Sequence, residues 1–125
     1  MSTKRILVVD AEAAIIELLR DVLTGQGYEV DSATIAEEAL DLVHDTIYDA
    51  AIVDFNLPDM NGVTLHRQIR QMDEELGDKT LFTSGMMQSE KNIGYYSAHG
   101  MGFLTKPFEV QDVLDALDRM WTGKY

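Results

Sequence analysis

Short apolar runs alternate with amphipathic stretches along this chain. Ile6-Leu7-Val8-Val9 is an unbroken apolar run rich in β-branched residues, the pattern of a strand buried on both faces. Ile15, Leu18, Leu19 and Val22 then follow helical spacing, and Gly25 and Gly27 close that helix. Val30 to Ala33 reads as a weaker strand, followed by a helical stripe of Ile35, Ala36, Ala39, Leu40 and Val43. Ala50 to Val53 is a second buried strand, ending at Asp54. Beyond the turn 56–62 a helix carries Val63, Leu65, Ile69 and Met72, and an acidic loop from Asp73 to Asp78 leads to the strand Thr80 to Ser84. A fourth helix is expected from Ser89 to Ala98, interrupted by Gly94. Phe103-Leu104-Thr105 is the last strand. The final helix turns Val110, Val113, Leu114 and Leu117 inward and Asp112, Asp115 and Asp118 outward.

The pattern amounts to five βα units with short connections. It predicts an α/β fold in which a doubly wound, five-stranded parallel sheet carries helices on both faces. Five strands favour the flavodoxin-like order 2-1-3-4-5, whose sites lie at the carboxyl ends of the strands beside the switch point. With 125 residues, one domain is expected over 1–125, its compact core running from Lys4 to about Trp121.

Composition narrows the chemistry. There is no cysteine, which excludes disulfides and thiolate metal sites, and the three histidines lack zinc-ligand spacing. The formal net charge of −12 repels phosphate backbones and anionic lipid, so neither direct nucleic-acid binding nor membrane binding is expected. No apolar run approaches membrane-spanning length. Asp10 cuts the first apolar run too short for a signal peptide, and the expected location is the cytoplasm.

Chemistry-bearing residues collect at the predicted carboxyl ends of strands. Asp10 ends the first strand, Asp54 the third and Ser84 the fourth, and Lys106 follows the fifth. In a 2-1-3-4-5 sheet these four converge on one rim. Two carboxylates suit a hard cation such as Mg²⁺, which can bridge them to a phosphoryl oxygen. An ammonium gives that group a second positive contact, and a carboxylate so held can itself be the nucleophile. Pro58 shapes the turn after Asp54, and Pro107 directly follows Lys106, where a cis bond would direct the lysine.

The segments Ile-Leu-Val-Val-Asp at 6–10, Asp54 to Gly62, Thr83-Ser84-Gly85 and Gly102 to Phe108 stand in an order and spacing that resemble the receiver domains of bacterial two-component response regulators. The resemblance covers almost the whole chain. It implies that a histidine kinase or phosphotransfer protein presents phosphohistidine and that Asp54 accepts the phosphoryl group. Asp10, Asp54 and the backbone carbonyl of Asn56 would surround Mg²⁺, and Lys106 would pair with the phosphoryl group. Ser84 would turn toward that group and Phe103 would repack, changing the face formed by the fourth helix, fifth strand and fifth helix. A downstream protein target or output domain would read this face, and the resemblance leaves room for a homodimer through it. Such a domain is a switch that catalyses its own phosphotransfer and dephosphorylation rather than a conventional enzyme. Asn56 and Met86, two residues beyond Asp54 and Ser84, would flank the path of the hydrolytic water, and an apolar Met86 implies a long-lived phosphorylated state.

The chain departs from the family at one position. Receiver domains usually carry two adjacent acids after the first strand, the second being the direct metal ligand, whereas Asp10 is followed here by Ala11. Weak Mg²⁺ binding is therefore expected, with Lys106 resting closer to Asp54. The alternative function is a pseudo-receiver that binds partners without ordinary phosphorylation. Plainer roles compete at single positions. Asp10 can cap the first helix, Glu12 can be a helix N-terminal charge rather than a ligand, and Phe103 can be core. Ser84 competes with Thr83 for the hydroxyl role, and counting back from Lys106 favours Ser84, with Thr83 on the sheet's other face. A flavin binder is disfavoured because Asp10-Ala11-Glu12 is acidic where a phosphate loop would sit. An aspartate-dependent phosphatase lacks both a cap domain and a second acid two residues beyond Asp54.

Overall fold

In the computed structural model, which describes residues 3–85 and 102–122, five parallel strands form one sheet. These are β1 (Arg5–Val9), β2 (Glu29–Ala33), β3 (Ala50–Asp54), β4 (Thr80–Ser84) and β5 (Gly102–Thr105), in the order β2-β1-β3-β4-β5. The helices are α1 (Ala13–Gly25), α2 (Ala36–Asp45), α3 (Gly62–Met72), a short α4 (Glu74–Asp78) and α5 (Val110–Thr122). The helix expected from Ser89 to Ala98, with Met86 before it, lies outside the described residues.

Strand periodicity divides the core in two. Leu7, Val9, Ala51, Val53 and Phe82 face α2, α3 and α4, meeting Ala39, Leu65, Ile69 and Leu76. Their strand neighbours Ile6, Val8, Ala50, Ile52 and Leu81 face α1 and α5, meeting Leu19, Leu23, Val113, Leu117 and Met120. A central strand covered on both faces must be apolar along its covered length, as Ile6 to Val9 of β1 and Ala50 to Val53 of β3 are. Two glycines are required by geometry. Gly27 has φ +92° at the end of α1, where the Tyr28 N–H turns back to the Leu23 carbonyl. At Gly62, the first residue of α3, an added Cβ would lie 2.8 Å from the Phe55 Cα.

The structure corrects the periodicity reading in three places. The buried stripe of α1 is Ile16, Leu19 and Leu23; Ile15 and Val22 flank it and Leu18 is exposed. Residues 13–19 are all apolar except Glu17, so the sequence leaves the helical phase open and packing on the sheet sets it. Met72 and Val110, expected to be inward, are exposed because each is the terminal residue of its helix. The acidic loop from Asp73 is a one-turn helix. The Asp73 side chain accepts the Leu76 N–H, acids occupy the first turn, and Leu76 is buried. Among the described residues no helix is long and apolar enough to cross a membrane.

Candidate functional site

At the carboxyl rim of the sheet, the register β2-β1-β3-β4-β5 brings together the ends of β1, β3 and β5. Asp10 is 2% exposed and Asp54 is 5% exposed. The Lys106 ammonium lies between them, its Nζ 2.8 Å from Asp10 Oδ2 and 3.4 Å from Asp54 Oδ2. Its third acidic neighbour is Glu12, with Oε2 at 3.8 Å. Of the two buried carboxylates, Asp10 holds the shorter contact.

Backbone groups hold the remaining oxygens. The Glu12 N–H donates to Asp10 Oδ1 at 2.8 Å, and the Asn56 N–H donates to Asp54 Oδ1 at 3.1 Å. The Lys106 N–H donates to the Ser84 carbonyl at 2.6 Å, which ties the start of the lysine turn to the end of β4. The Lys106–Pro107 peptide is cis.

Burial pushes the Asp54 carboxyl above its ordinary value. The Asn56 N–H opposes this, the charge of Asp10 adds to it, and Lys106 opposes it, with a net upward shift. For Lys106, burial favours the neutral amine, but the hydrogen bond and charge of Asp10, with Asp54 and Glu12, outweigh it and raise the pKa. The lysine is therefore held charged. Two buried carboxylates share this one ammonium, which leaves the rim with net negative charge.

The other expected site residues fall around this centre. Thr83 is paired in register with Asp54, and Ser84 with Thr105; both hydroxyl residues are buried. Phe103 is opposite Phe82 in the β4–β5 register and is half-buried against the same core cluster. Ala11, which follows Asp10, is exposed. Glu12, Ile15, Leu18, Gly85, Lys106, Pro107 and Phe108 line a cleft of about 420 Å³ that opens beside the lysine.

The donor set fits a hard divalent cation of the Mg²⁺ type. It offers two buried carboxylates with lone pairs to spare and a net negative charge, and Mg²⁺ commonly completes such a set with water. Among the described residues, no group of three acids or histidines is arranged as a metal cluster, so the set is leaner than a triad.

Sequence reasoning missed one contact at this rim. Asp59 reaches from the β3–α3 loop to the start of α2, where its Oδ1 and Oδ2 accept the N–H groups of Ala36 and Glu37 at 2.9 and 3.0 Å. The available signal was Ile35, the N-cap residue of α2, which has no side-chain acceptor and leaves that helix to be capped from elsewhere.

The model of the response regulator receiver domain matches residues 6–118. The chain is 32% identical over 118 residues to the chemotaxis protein CheY of Thermotoga maritima, covering 94% of this chain and 97% of that protein. It is 27% identical over 122 residues to sporulation initiation phosphotransferase F of Bacillus subtilis, covering 95% of this chain and 94% of that protein. The structure of a CheY-like receiver domain protein from Methanospirillum hungatei superposes with a TM-score of 0.85 at 29% identity, covering 98% of this chain and 99% of the other.

Proposed function

Given that this chain belongs to the response regulator receiver family of two-component signalling, we propose that it accepts a phosphoryl group on Asp54 from a histidine kinase or phosphotransfer protein in the cytoplasm. The observation that carries this reading is the Lys106 ammonium held between two buried carboxylates at the carboxyl rim. A carboxylate kept above its ordinary basicity by burial is a competent nucleophile. One Asp54 oxygen attacks the phosphorus of phosphohistidine. The phosphorus–nitrogen bond breaks with its electron pair left on the imidazole, and an acyl phosphate forms on Asp54.

Asp10, Asp54 and the Asn56 carbonyl would hold Mg²⁺. When bound, the ion neutralises charge on the transferring phosphoryl oxygens. Lys106 supplies a second positive contact and orients the group by moving from Asp10 toward the new oxygens. The apolar flank of the cleft at Ile15, Leu18 and Phe108 gives the donor protein a surface beside the acceptor. Ser84 and Phe103 then carry the change to the face around β5 and α5, for a downstream target or a second copy of the chain.

The test is Phos-tag electrophoresis and intact-mass analysis after exposure to a small-molecule phosphodonor, with and without Mg²⁺. Acid-labile, Mg²⁺-dependent incorporation is expected in the wild type and none in Asp54→Ala. Full incorporation in that variant would overturn the assignment. Exposed Ala11, with only two buried carboxylates spanned by Lys106, also favours a second reading, a partner-binding pseudo-receiver. That reading takes over if neither the wild type nor Ala11→Asp accepts phosphate.

A further inference from the structure

The loop from Phe55 to Asn61 joins the phosphoacceptor to α3, and its start is held to β4, where the Phe55 N–H donates to the Thr83 carbonyl at 2.8 Å. The Gly62 N–H donates to the Phe55 carbonyl at 2.7 Å, and Asn56 and Asn61 form an isolated antiparallel bridge. The Asn61 side chain caps α3 through the Thr64 N–H, and the Asn56 N–H rests on Asp54. Asp59, at the tip, reaches out of the loop to α2. The first N–H groups of a helix have no partner within it, and Ile35 cannot supply one. The two α2 amides hold the Asp59 carboxyl below the usual carboxylate range, so the tether stays ionised under mildly acidic conditions. Leu57 is buried in the core and Met60 packs against it, so apolar contacts seat the loop, while Asp59 ties its tip to α2 by hydrogen bonds and Gly62 fits its far end against Phe55 by close approach.

We infer that Asp59 is a positioning residue, which fastens the loop tip to α2 and so helps to set the direction of the Asn56 backbone beside Asp54. This rests on the proposed function, since the Asn56 backbone supplies both the N–H on the acceptor and, in the next peptide, the expected metal-facing carbonyl. Asp59 itself touches neither the phosphoryl group nor the metal. Supporting residues of this kind act by removing alternative orientations of the groups that do the binding.

The experiment compares amide NMR spectra of the whole chain, first metal-free and then titrated with Mg²⁺. The proteins are the wild type, Asp59→Ala, Asp59→Asn and the double variant Asp59→Ala/Ile35→Asp. Ile35→Asp gives α2 its own N-cap acceptor without restoring the link to the loop. In Asp59→Ala the Asn56 amide should shift before any metal is added. Mg²⁺ affinity should fall roughly tenfold, the low end of losses on removing supporting residues around a metal. Asp59→Asn, which keeps one acceptor, should lie between. The double variant should recover the urea midpoint of the wild type yet keep the displaced Asn56 amide and the weaker Mg²⁺ binding. Recovery of these along with stability would reduce Asp59 to a helix cap and overturn the inference, as would an unmoved Asn56 amide in Asp59→Ala. If the wild type binds no Mg²⁺, it is the metal part of the proposed function that fails, and the metal-free Asn56 amide alone decides the role of Asp59.

Discussion

At Asp54, function and stability pull in opposite directions. Its folded carboxyl pKa lies above the unfolded value, so the folded state binds that proton more tightly than the unfolded chain does. Above the folded pKa the ionised group destabilises the fold in full, and the penalty fades as pH falls through the folded value toward the unfolded one. Asp54→Asn should therefore raise the urea midpoint at neutral pH, with the gain shrinking toward acid; an equal or lower midpoint at pH 7 would contradict this. Ala11 poses the complementary question. An acid there would stand in the chain between Asp10 and Glu12, both of which reach Lys106. Ala11→Asp is expected to tighten Mg²⁺ binding by roughly tenfold, about 1.4 kcal/mol, and to speed phosphorylation. Isothermal titration of the two proteins checks the first part. Unchanged binding would mean that position 11 does not reach the ligand shell or that Glu12 already serves it.

At the scale of elements, local signals gave the strands well and the helix phases less well. The central strands β1 and β3 are short, bounded by polar residues and apolar through their middles, so their limits are visible without their neighbours. For α1 the run from Ala13 to Leu19 offers apolar residues in nearly every direction, and only contact with the sheet selects Ile16, Leu19 and Leu23. The short α4 escaped because one turn has no periodicity to detect; its signal is the Asp73 cap, with acids in the first turn. The start of α3 makes a sharper prediction. Gly62→Ala places a Cβ against the backbone of Phe55, which no side-chain rotation relieves. It should destabilise the protein by about 1–3 kcal/mol, the usual cost of overpacking, and displace the Asn56 amide. Chemical denaturation and the amide spectrum test the two effects separately.

Across the whole molecule, the sheet connects the acceptor to a distant face. Asp54 ends the middle strand, β4 lies beside it, and Phe103 on the outer strand packs against the cluster that contains Phe82. Phosphorylation, or an acyl-phosphate mimic bound at Asp54, should perturb the amides of Ser84 and Phe103 more than those of Leu40 and Leu42 on α2. A Phe103 amide that does not move would count against signalling through β5. The same architecture explains which parts of the fold and the site were legible beforehand. Every-position burial in the central strands, period-3.6 stripes between them and glycine at the turns suffice for a parallel five-stranded sheet, because each is a short-range consequence of solvent exclusion. From that order the convergence of Asp10, Asp54 and Lys106 on one rim follows without coordinates. Which carboxylate holds the ammonium and how Asp59 caps a helix twenty-two residues upstream depend on distances across separate elements. Those distances are set by the packing of α1, α2 and α5 on the sheet, and by the balance of burial against ion pairing at a rim where three acids meet one lysine.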